Sequence, residues 1–105
     1  MKVLQHVTDG NGGHYGYAFH CPGCGVDHTI TTEPYPNGWA FDGNEQAPTF
    51  GPSIHVHPSR ILDNDGQPRD MPRCHSWVRA GQIEFLNDST HALAGKTVPL
   101  PEISR

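Results

Sequence analysis

The stretch Phe19-His20-Cys21-Pro22-Gly23-Cys24-Gly25 decides the fold, because its two thiols are spaced so that one metal ion can bind both. The chain has one further cysteine, Cys74, and three cysteines cannot close a disulfide framework because one thiol is always left over. The same three thiolates are one ligand short of a tetrahedral zinc site, and eight histidines are available to supply that ligand. The sequence therefore predicts a small domain that binds Zn²⁺ through a Cys-x-x-Cys knuckle.

The composition predicts a single zinc-binding β domain over residues 1–105, with a thin core. Apolar residues make up 34% of the chain, and 12 glycines and 10 prolines interrupt it. Such a chain favours turns and short strands over helices, and a small core commonly needs a metal to stabilise it. The glycine-rich stretch at residues 9–14 leads us to expect that part of residues 1–14 is flexible.

Charge and hydropathy exclude several classes of protein. The net charge is −4 and the seven lysines and arginines are scattered, so no basic surface is expected to bind nucleic acid. No apolar run approaches the length needed to cross a membrane, and the N-terminus is too polar for a signal peptide. Free thiols without a signal peptide predict a cytoplasmic protein.

Short alternating segments predict antiparallel hairpins. Residues 15–19 alternate with period two and run into the knuckle, and the β-branched residues 28–32 are expected to pair back on them. Residues 76–79 and 82–86 flank Ala80-Gly81, which is a strong hairpin signal. Further extended segments are expected around residues 39–41, 53–57 and 98–103, with a hairpin tip or polar loop at 63–72 and one or two helical turns near 89–94. The fold class is therefore mostly β, with antiparallel hairpins stapled by the knuckle and little helix.

The fourth zinc ligand is open from the residues alone. His75 directly follows Cys74, but adjacent strand residues point to opposite faces, so both reach one metal only at a bulge or turn. His91 is the alternative, arriving after the second strand of the predicted hairpin. His20 and His28 flank the knuckle as hydrogen-bonded neighbours or surface groups. We predict the set Cys21, Cys24, Cys74 and His75, with His91 as the alternative fourth ligand.

Other interpretations of the thiols and histidines are weighed against this one. In the first alternative, the two knuckle cysteines are a buried reduced pair or a redox pair. A thioredoxin-like redox motif requires a helix after the cysteines, and no amphipathic helix follows them here. Cys74 is an inert core thiol in the second. His55 and His57 lie two apart on a predicted strand and could share a weak second metal site. The simpler interpretation is that these two are solvated, because the Ser-x-x-Asp of His-x-His-Pro metallopeptidases is missing.

Several blocks of the sequence carry a family resemblance. The knuckle, Gly38-Trp39-Ala40-Phe41-Asp42-Gly43, Pro48-Thr49-Phe50-Gly51-Pro52-Ser53-Ile54 and the segment from Cys74 to Leu86 resemble a DUF6527-type family of small phage and prophage proteins. The resemblance implies a metal-binding β domain in the cytoplasm of a bacterial host. More distant relatives look like proteins encoded beside bacterial ubiquitin-like conjugation systems, for which a peptidase role is suggested. That branch implies roles for Cys21, Cys24 and His75, with Ser53 as a polar site group.

Two functions follow as hypotheses. The first is a small phage-type module with a closed, structural Cys₃His zinc site that binds a host or phage protein. The second is a zinc-dependent hydrolase, a peptidase acting on a ubiquitin-like or phage protein. It needs an open coordination position and a carboxylate base, for which Glu84 and Asp88 are the candidates, with His75 as ligand or acid/base. The sequence favours the first.

Overall fold

The computed structural model describes residues 2–62 and 65–103, which form antiparallel strands and contain no α-helix. The strands are, in chain order, β1 (Gln5–Thr8), β2 (His14–Cys21), β3 (Val26–Thr31), β4 (Ala40–Phe41), β5 (Phe50–Gly51), β6 (Ile54–Val56), β7 (Ser59–Leu62), β8 (Pro68–Met71), β9 (Cys74–Arg79), β10 (Gln82–Phe85) and β11 (Thr97–Pro99). This confirms the predicted mostly-β class. Since these residues form no helix, none of them belongs to a helix long and apolar enough to cross a membrane.

A three-stranded sheet, in the order β1-β2-β3, carries the knuckle at one end. β2 and β3 pair from Gly16↔Thr31 to Cys21↔Val26, so the knuckle is the turn of the predicted hairpin. Residues 5–8, within the segment expected to be partly flexible, pair with β2 as its other neighbour. The glycine-rich turn before β2 is held by Asp9, whose Oδ1 accepts hydrogen bonds from the backbone N–H of Asn11 and Gly13.

A four-stranded sheet, in the order β11-β10-β9-β6, forms the other half of the domain. β9 and β10 are joined by the predicted Ala80-Gly81 turn, where both residues have positive φ (49° and 78°), as a tight hairpin turn requires. β6 pairs with the opposite edge of β9, with His55↔His75 and Val56↔Cys74 in register. β11 lies at the sheet edge, as expected for the Pro-containing segment at 98–103.

Two short hairpins complete the described chain. β4 pairs with β5, which confirms a short strand at Phe41. β7 pairs with β8, so residues 65–67 lie in the predicted hairpin loop; residues 63 and 64 of that prediction lie outside the described part of the chain.

The predicted helical turn at residues 89–94 is wrong. The segment forms a bend and a turn at residues 91–94, and backbone bonds tie it and the residues before it to the β9 region: Leu86, just before the segment, donates to the carbonyl of His75, and Thr90 donates to the carbonyl of Arg73, the residue before β9. These cross-links hold the segment against the edge of β9 in place of an i→i−4 ladder.

The core is built from both sheets. Its largest fully buried side chains include Leu4 and Phe19 from the first sheet region and Ile83 and Phe85 from β10, with Phe50 from β5. In β10 the buried Ile83 and Phe85 alternate with more exposed residues as the period-two pattern predicts, whereas in β2 the adjacent Ala18 and Phe19 are both buried. The cysteines of the knuckle and Cys74 belong to the same buried cluster.

Gly16 provides a test of the close contact within the first sheet. A Cβ at this position would collide with the backbone carbonyl of Ile30, so we expect Gly16→Ala to lower the free energy of unfolding by about 1–3 kcal/mol, the usual cost of overpacking. Gly10→Ala is the matched control, because no atom lies within 4 Å of its added methyl group. Urea unfolding measures both, and a Gly16→Ala protein as stable as the control would contradict the described packing.

Candidate functional site

Four metal-ligand side chains converge between the two sheets. Cys21, Cys24, His28 and Cys74 each offer one ligand atom, and these atoms all lie within 4.8 Å of one another. Cys21 ends β2, Cys24 lies in the knuckle, His28 belongs to β3 and Cys74 opens β9. Each of the four is less than a tenth exposed. The cluster therefore links the three-stranded sheet to the four-stranded sheet.

The strand register explains why His28 is the fourth member. His28 pairs directly with Phe19, and Cys21 lies two residues beyond Phe19 on the same face of β2. Along β3 the buried His28 and Ile30 alternate with the exposed Asp27 and Thr29. The imidazole is thus turned inward beside the thiols.

The cluster has the features of a metal site. The sulfur atoms of Cys21 and Cys74 lie 3.8 Å apart, and a tetrahedral zinc with Zn–S bonds of about 2.3 Å would place them about 3.8 Å apart. Nε2 of His28 is buried and has no hydrogen-bond partner in the described structure. A buried imidazole nitrogen without a partner is costly, and a metal ligand bond would satisfy it. The four residues can therefore hold a metal ion.

The acidity of the thiols fits this assignment. The pKa of Cys21 is lowered because its sulfur accepts hydrogen bonds from the thiols of Cys24 and Cys74. The corresponding hydrogen bond to Cys21 raises the pKa of Cys24 to about 11 and also raises that of Cys74. Zinc binds cysteine as the thiolate, so metal binding at these thiols would release protons.

The knuckle turn brings its backbone close to the cluster. Gly25 has a φ of 72° and donates its N–H to the carbonyl of Cys21 at 2.9 Å, which closes the turn. Gly23 has no side chain because the ring of His91 lies against it, where a Cβ would collide with that ring.

The structure corrects the fourth ligand expected from the sequence. β9 is regular at Cys74 and His75, so the thiol points into the core while His75 points to the opposite face. No bulge brings the two to one metal. His91 also lies outside the cluster: its Nδ1 accepts the N–H of Leu93, and its ring packs edge-on against Phe85.

His75 instead forms the centre of a second site. Its Nε2 lies 3.1 Å from Oγ of Ser53, and its Nδ1 lies 3.1 Å from Oδ2 and 3.2 Å from Oδ1 of Asp88. A carboxylate only accepts, so Nδ1 carries the proton donated to Asp88, and Nε2 accepts the hydroxyl proton of Ser53. The hydrogen bond from His75 also lowers the pKa of Asp88 and keeps it ionised. This is the arrangement of a Ser-His-Asp catalytic triad.

Further hydrogen bonds hold the segments that carry His75 and Ser53. Ser89, which is 6% exposed, accepts the backbone N–H of His75 and donates its hydroxyl to the carbonyl of the same residue, both at 3.1 Å. Trp39 donates its indole N–H to the carbonyl of Pro52 at 3.0 Å, next to the serine. Trp39 therefore holds the backbone next to Ser53, and Ser89 holds the backbone of His75.

The other residues predicted for metal binding or catalysis lie apart from the thiol cluster. The ring centroids of His55 and His57 lie 4.1 Å apart with the rings tilted by 36°, and the ring of His55 stacks on that of His75 at 4.7 Å. Glu84 lies on β10 and pairs with Arg79 at 3.7 Å, away from both sites. Among residues 2–62 and 65–103, the thiol cluster is the one group of three or more His, Cys, Asp or Glu whose ligand atoms converge.

The arrangement of Ser53, His75 and Asp88 is the one that serine hydrolases use, and the family comparison can be set beside it. Residues 2–86 match the family described as the bacterial ubiquitination-like system serine protease BubE, and the chain belongs to this family. The match includes Ser53 and His75 and ends two residues before Asp88. No curated protein and no solved structure matches the chain significantly. The match supports the resemblance to bacterial ubiquitin-like systems, and not the DUF6527-type phage family.

All three members of the triad are among the candidate residues of the sequence, but nothing in the sequence connects them. Ser53 entered as a polar group, His75 as a metal ligand, and Asp88 as a base for a zinc-bound water. The alternation along β9 separates the thiol cluster from the triad, because the buried Cys74 and Ser76 face one side and His75 and Trp77 face the other. His28 could have been found by the same alternation along β3.

Replacement of single histidines tests the cluster. We expect His28→Ala to lower the metal content of the purified protein sharply, because it removes one of four converging ligands. His75→Ala should retain the metal, since that side chain points to the opposite face of β9. Elemental analysis of both proteins measures this. Loss of metal from His75→Ala alone would contradict the assignment of His28.

Proposed function

We propose that the chain is a serine protease in which Ser53 is the nucleophile, His75 the general base and Asp88 the orienting carboxylate. The observation that supports it most directly is the pair of hydrogen bonds through His75, at 3.1 Å to Ser53 and 3.1 Å to Asp88. Membership of a family described as a serine protease of a bacterial ubiquitination-like system supports the same activity.

The chemistry follows from the three contacts. Oγ of Ser53 attacks the scissile carbonyl while Nε2 of His75 takes its proton, and Asp88 stabilises the imidazolium that forms. His75 then gives this proton to the leaving amine, which breaks the peptide bond and leaves an acyl group on Ser53. A water molecule attacks the ester with His75 again accepting a proton, and release of the acid restores the serine.

The surroundings of the triad suit a protein substrate. The side chain of His75 is 25% exposed and that of Asp88 is 52% exposed, so the triad lies at the surface and not in a deep cavity. An extended segment of another protein can therefore reach Ser53. The partner expected from the sequence, a host or phage protein, becomes in this proposal a substrate protein of the ubiquitination-like system.

The thiol cluster has a structural role in this proposal, with Zn²⁺ as its metal. Three cysteines and one histidine form a common structural zinc set, and four protein ligands leave no position for a reactive water. Bound zinc would contribute folding energy by joining β2, β3 and β9. Because Cys74 directly precedes His75, that contribution would also fix the strand that carries the general base. Three free thiols suit the reducing cytoplasm of a bacterium.

Changes to the triad test the protease. We expect Ser53→Ala to abolish hydrolysis and labelling by a fluorophosphonate probe, and Asp88→Asn to lower kcat by about 10⁴-fold because the histidine loses its proper tautomer. Ser59→Ala, at an exposed serine of β7, is the control and should keep full labelling. Labelling that persists in Ser53→Ala would contradict the assignment of the nucleophile.

Removal of the metal tests the structural role of the cluster. We expect a zinc chelator to lower the thermal unfolding temperature and to abolish labelling of Ser53, because the link between the two sheets is lost. Added Zn²⁺ should restore both. Glu84→Gln should change neither, since its carboxylate pairs with Arg79 at the far end of the sheet. A chelated protein that stays folded and keeps full labelling would refute this role.

A further inference from the structure

One face of the four-stranded sheet carries more than the triad. In the antiparallel register His55 is opposite His75, and His57 and Arg73, which lie just outside the two strands, both contact His55 on this face. Ser53 lies on this face before β6 begins. The face therefore presents the nucleophile at one end and an arginine at the other, with a histidine pair between them.

Arg73 is held next to this histidine pair. Its Nη1 donates a hydrogen bond to Nε2 of His55 at 3.1 Å, and the ring of His55 stacks on His75 at 4.7 Å. Its backbone is fixed as well, since Thr90 accepts its N–H and donates to its carbonyl. These contacts fix the position of the Arg73 guanidinium.

Among residues 2–62 and 65–103, no carboxylate forms an ion pair with the guanidinium of Arg73. In the described ranges, the carboxylates that pair with arginine do so elsewhere: Asp70 with Arg60, and Glu84 with Arg79. Asp88, the acidic member of the triad, is hydrogen-bonded to His75. Arginine has five N–H donors, and the His55 contact uses one of them. A half-buried fork of donors is therefore available beside the triad.

His55 is a neutral hydrogen-bond acceptor for Arg73. It accepts the hydrogen bond from Arg73 through Nε2, so its own proton lies on Nδ1 and the ring is neutral. Partial burial lowers its pKa, and the neighbouring His57 and His75 lower it further. The positive charge beside His55 is then that of Arg73, while the negative charge of Asp88 is hydrogen-bonded to His75.

We infer that Arg73, backed by His55, forms a substrate subsite that binds a carboxylate of the cleaved protein. An arginine fork matches a carboxylate in shape and charge, and such charge-assisted pairs are among the stronger hydrogen bonds in proteins. The inference rests on the proposed protease, because it places the subsite relative to Ser53.

The strand spacing sets where that carboxylate lies. Arg73 contacts the ring of His55, which is two residues along the chain from Ser53, or about 7 Å at the rise of an antiparallel strand. A substrate bound in extended form covers this distance in about two residues. The carboxylate is therefore expected about two residues from the scissile bond, as an Asp or Glu side chain or as the substrate's terminal α-carboxylate.

Binding of paired peptides to the Ser53→Ala protein tests the subsite without requiring catalysis. Each pair of labelled peptides differs only by Glu or Gln at one position, and the position is moved along the peptide from pair to pair. The comparison within a pair separates a side-chain carboxylate from its neutral amide. A second pair, with a free or an amidated C-terminus, identifies the α-carboxylate. We expect one pair to favour the carboxylate by about tenfold or more, as measured by fluorescence anisotropy.

Substitutions of Arg73 test whether its side chain causes the preference for the carboxylate. Adding Arg73→Gln to Ser53→Ala should bring the two members of the favoured pair to within about twofold, and Arg73→Lys should restore part of the preference because it keeps the charge but loses the fork. Arg79→Gln, at the other end of β9, is the matched control, because that guanidinium already pairs with Glu84 and lies 4.3 Å from the ring centre of Trp77. It should leave the preference unchanged. Circular dichroism checks that each variant is folded.

The outcomes separate this inference from the proposed function. Equal binding of both members of every pair, no binding of either, or a preference that survives Arg73→Gln would overturn the subsite. If the wild-type chain hydrolyses peptides but shows none of these preferences, the protease stands and the subsite falls. If a carboxylate preference depends on Arg73 but no hydrolysis or active-site labelling is found, the subsite stands and the protease falls.

Discussion

The convergence of three thiols and one imidazole between two sheets is the constraint on which the rest of the structure depends. Each sheet is small, and strands β2, β3 and β9 meet at the positions of Cys21, His28 and Cys74. A chain with 34% apolar residues has little hydrophobic surface with which to hold such sheets together. The buried cluster supplies a link that is specific in geometry, and it sets how β9 crosses the core.

The triad depends on that placement of β9. Its histidine lies on the strand opened by Cys74, its serine precedes the partner strand β6, and its aspartate comes from the turns that pack against the other edge. Asp88 and Ser89 are consecutive, and one holds the side chain of His75 while the other holds its backbone. Three separate segments thus meet at one imidazole because the sheets beneath them are fixed.

The sequence predicted local features better than long-range ones. The hairpins at the knuckle and at Ala80-Gly81 depend on neighbouring residues, and both were predicted. Three of the four cluster members were also predicted from their chemistry. The pairing of β6 with β9, which brings Ser53 to His75, joins residues 22 apart through a turn-rich middle, and no periodicity in the sequence encodes that register. His75 was misplaced for the same reason, since only a regular β9 separates it from Cys74.

The adjacency of Cys74 and His75 on opposite faces of one strand has an evolutionary consequence. A substitution of Cys74 affects the thiol cluster and a substitution of His75 affects the triad, so selection acts on the two sites separately. An insertion or deletion of one residue within β9 would exchange the faces of every residue beyond it and disturb both sites together. Descendants of this chain should therefore vary in loop length almost anywhere before they vary in the length of this strand.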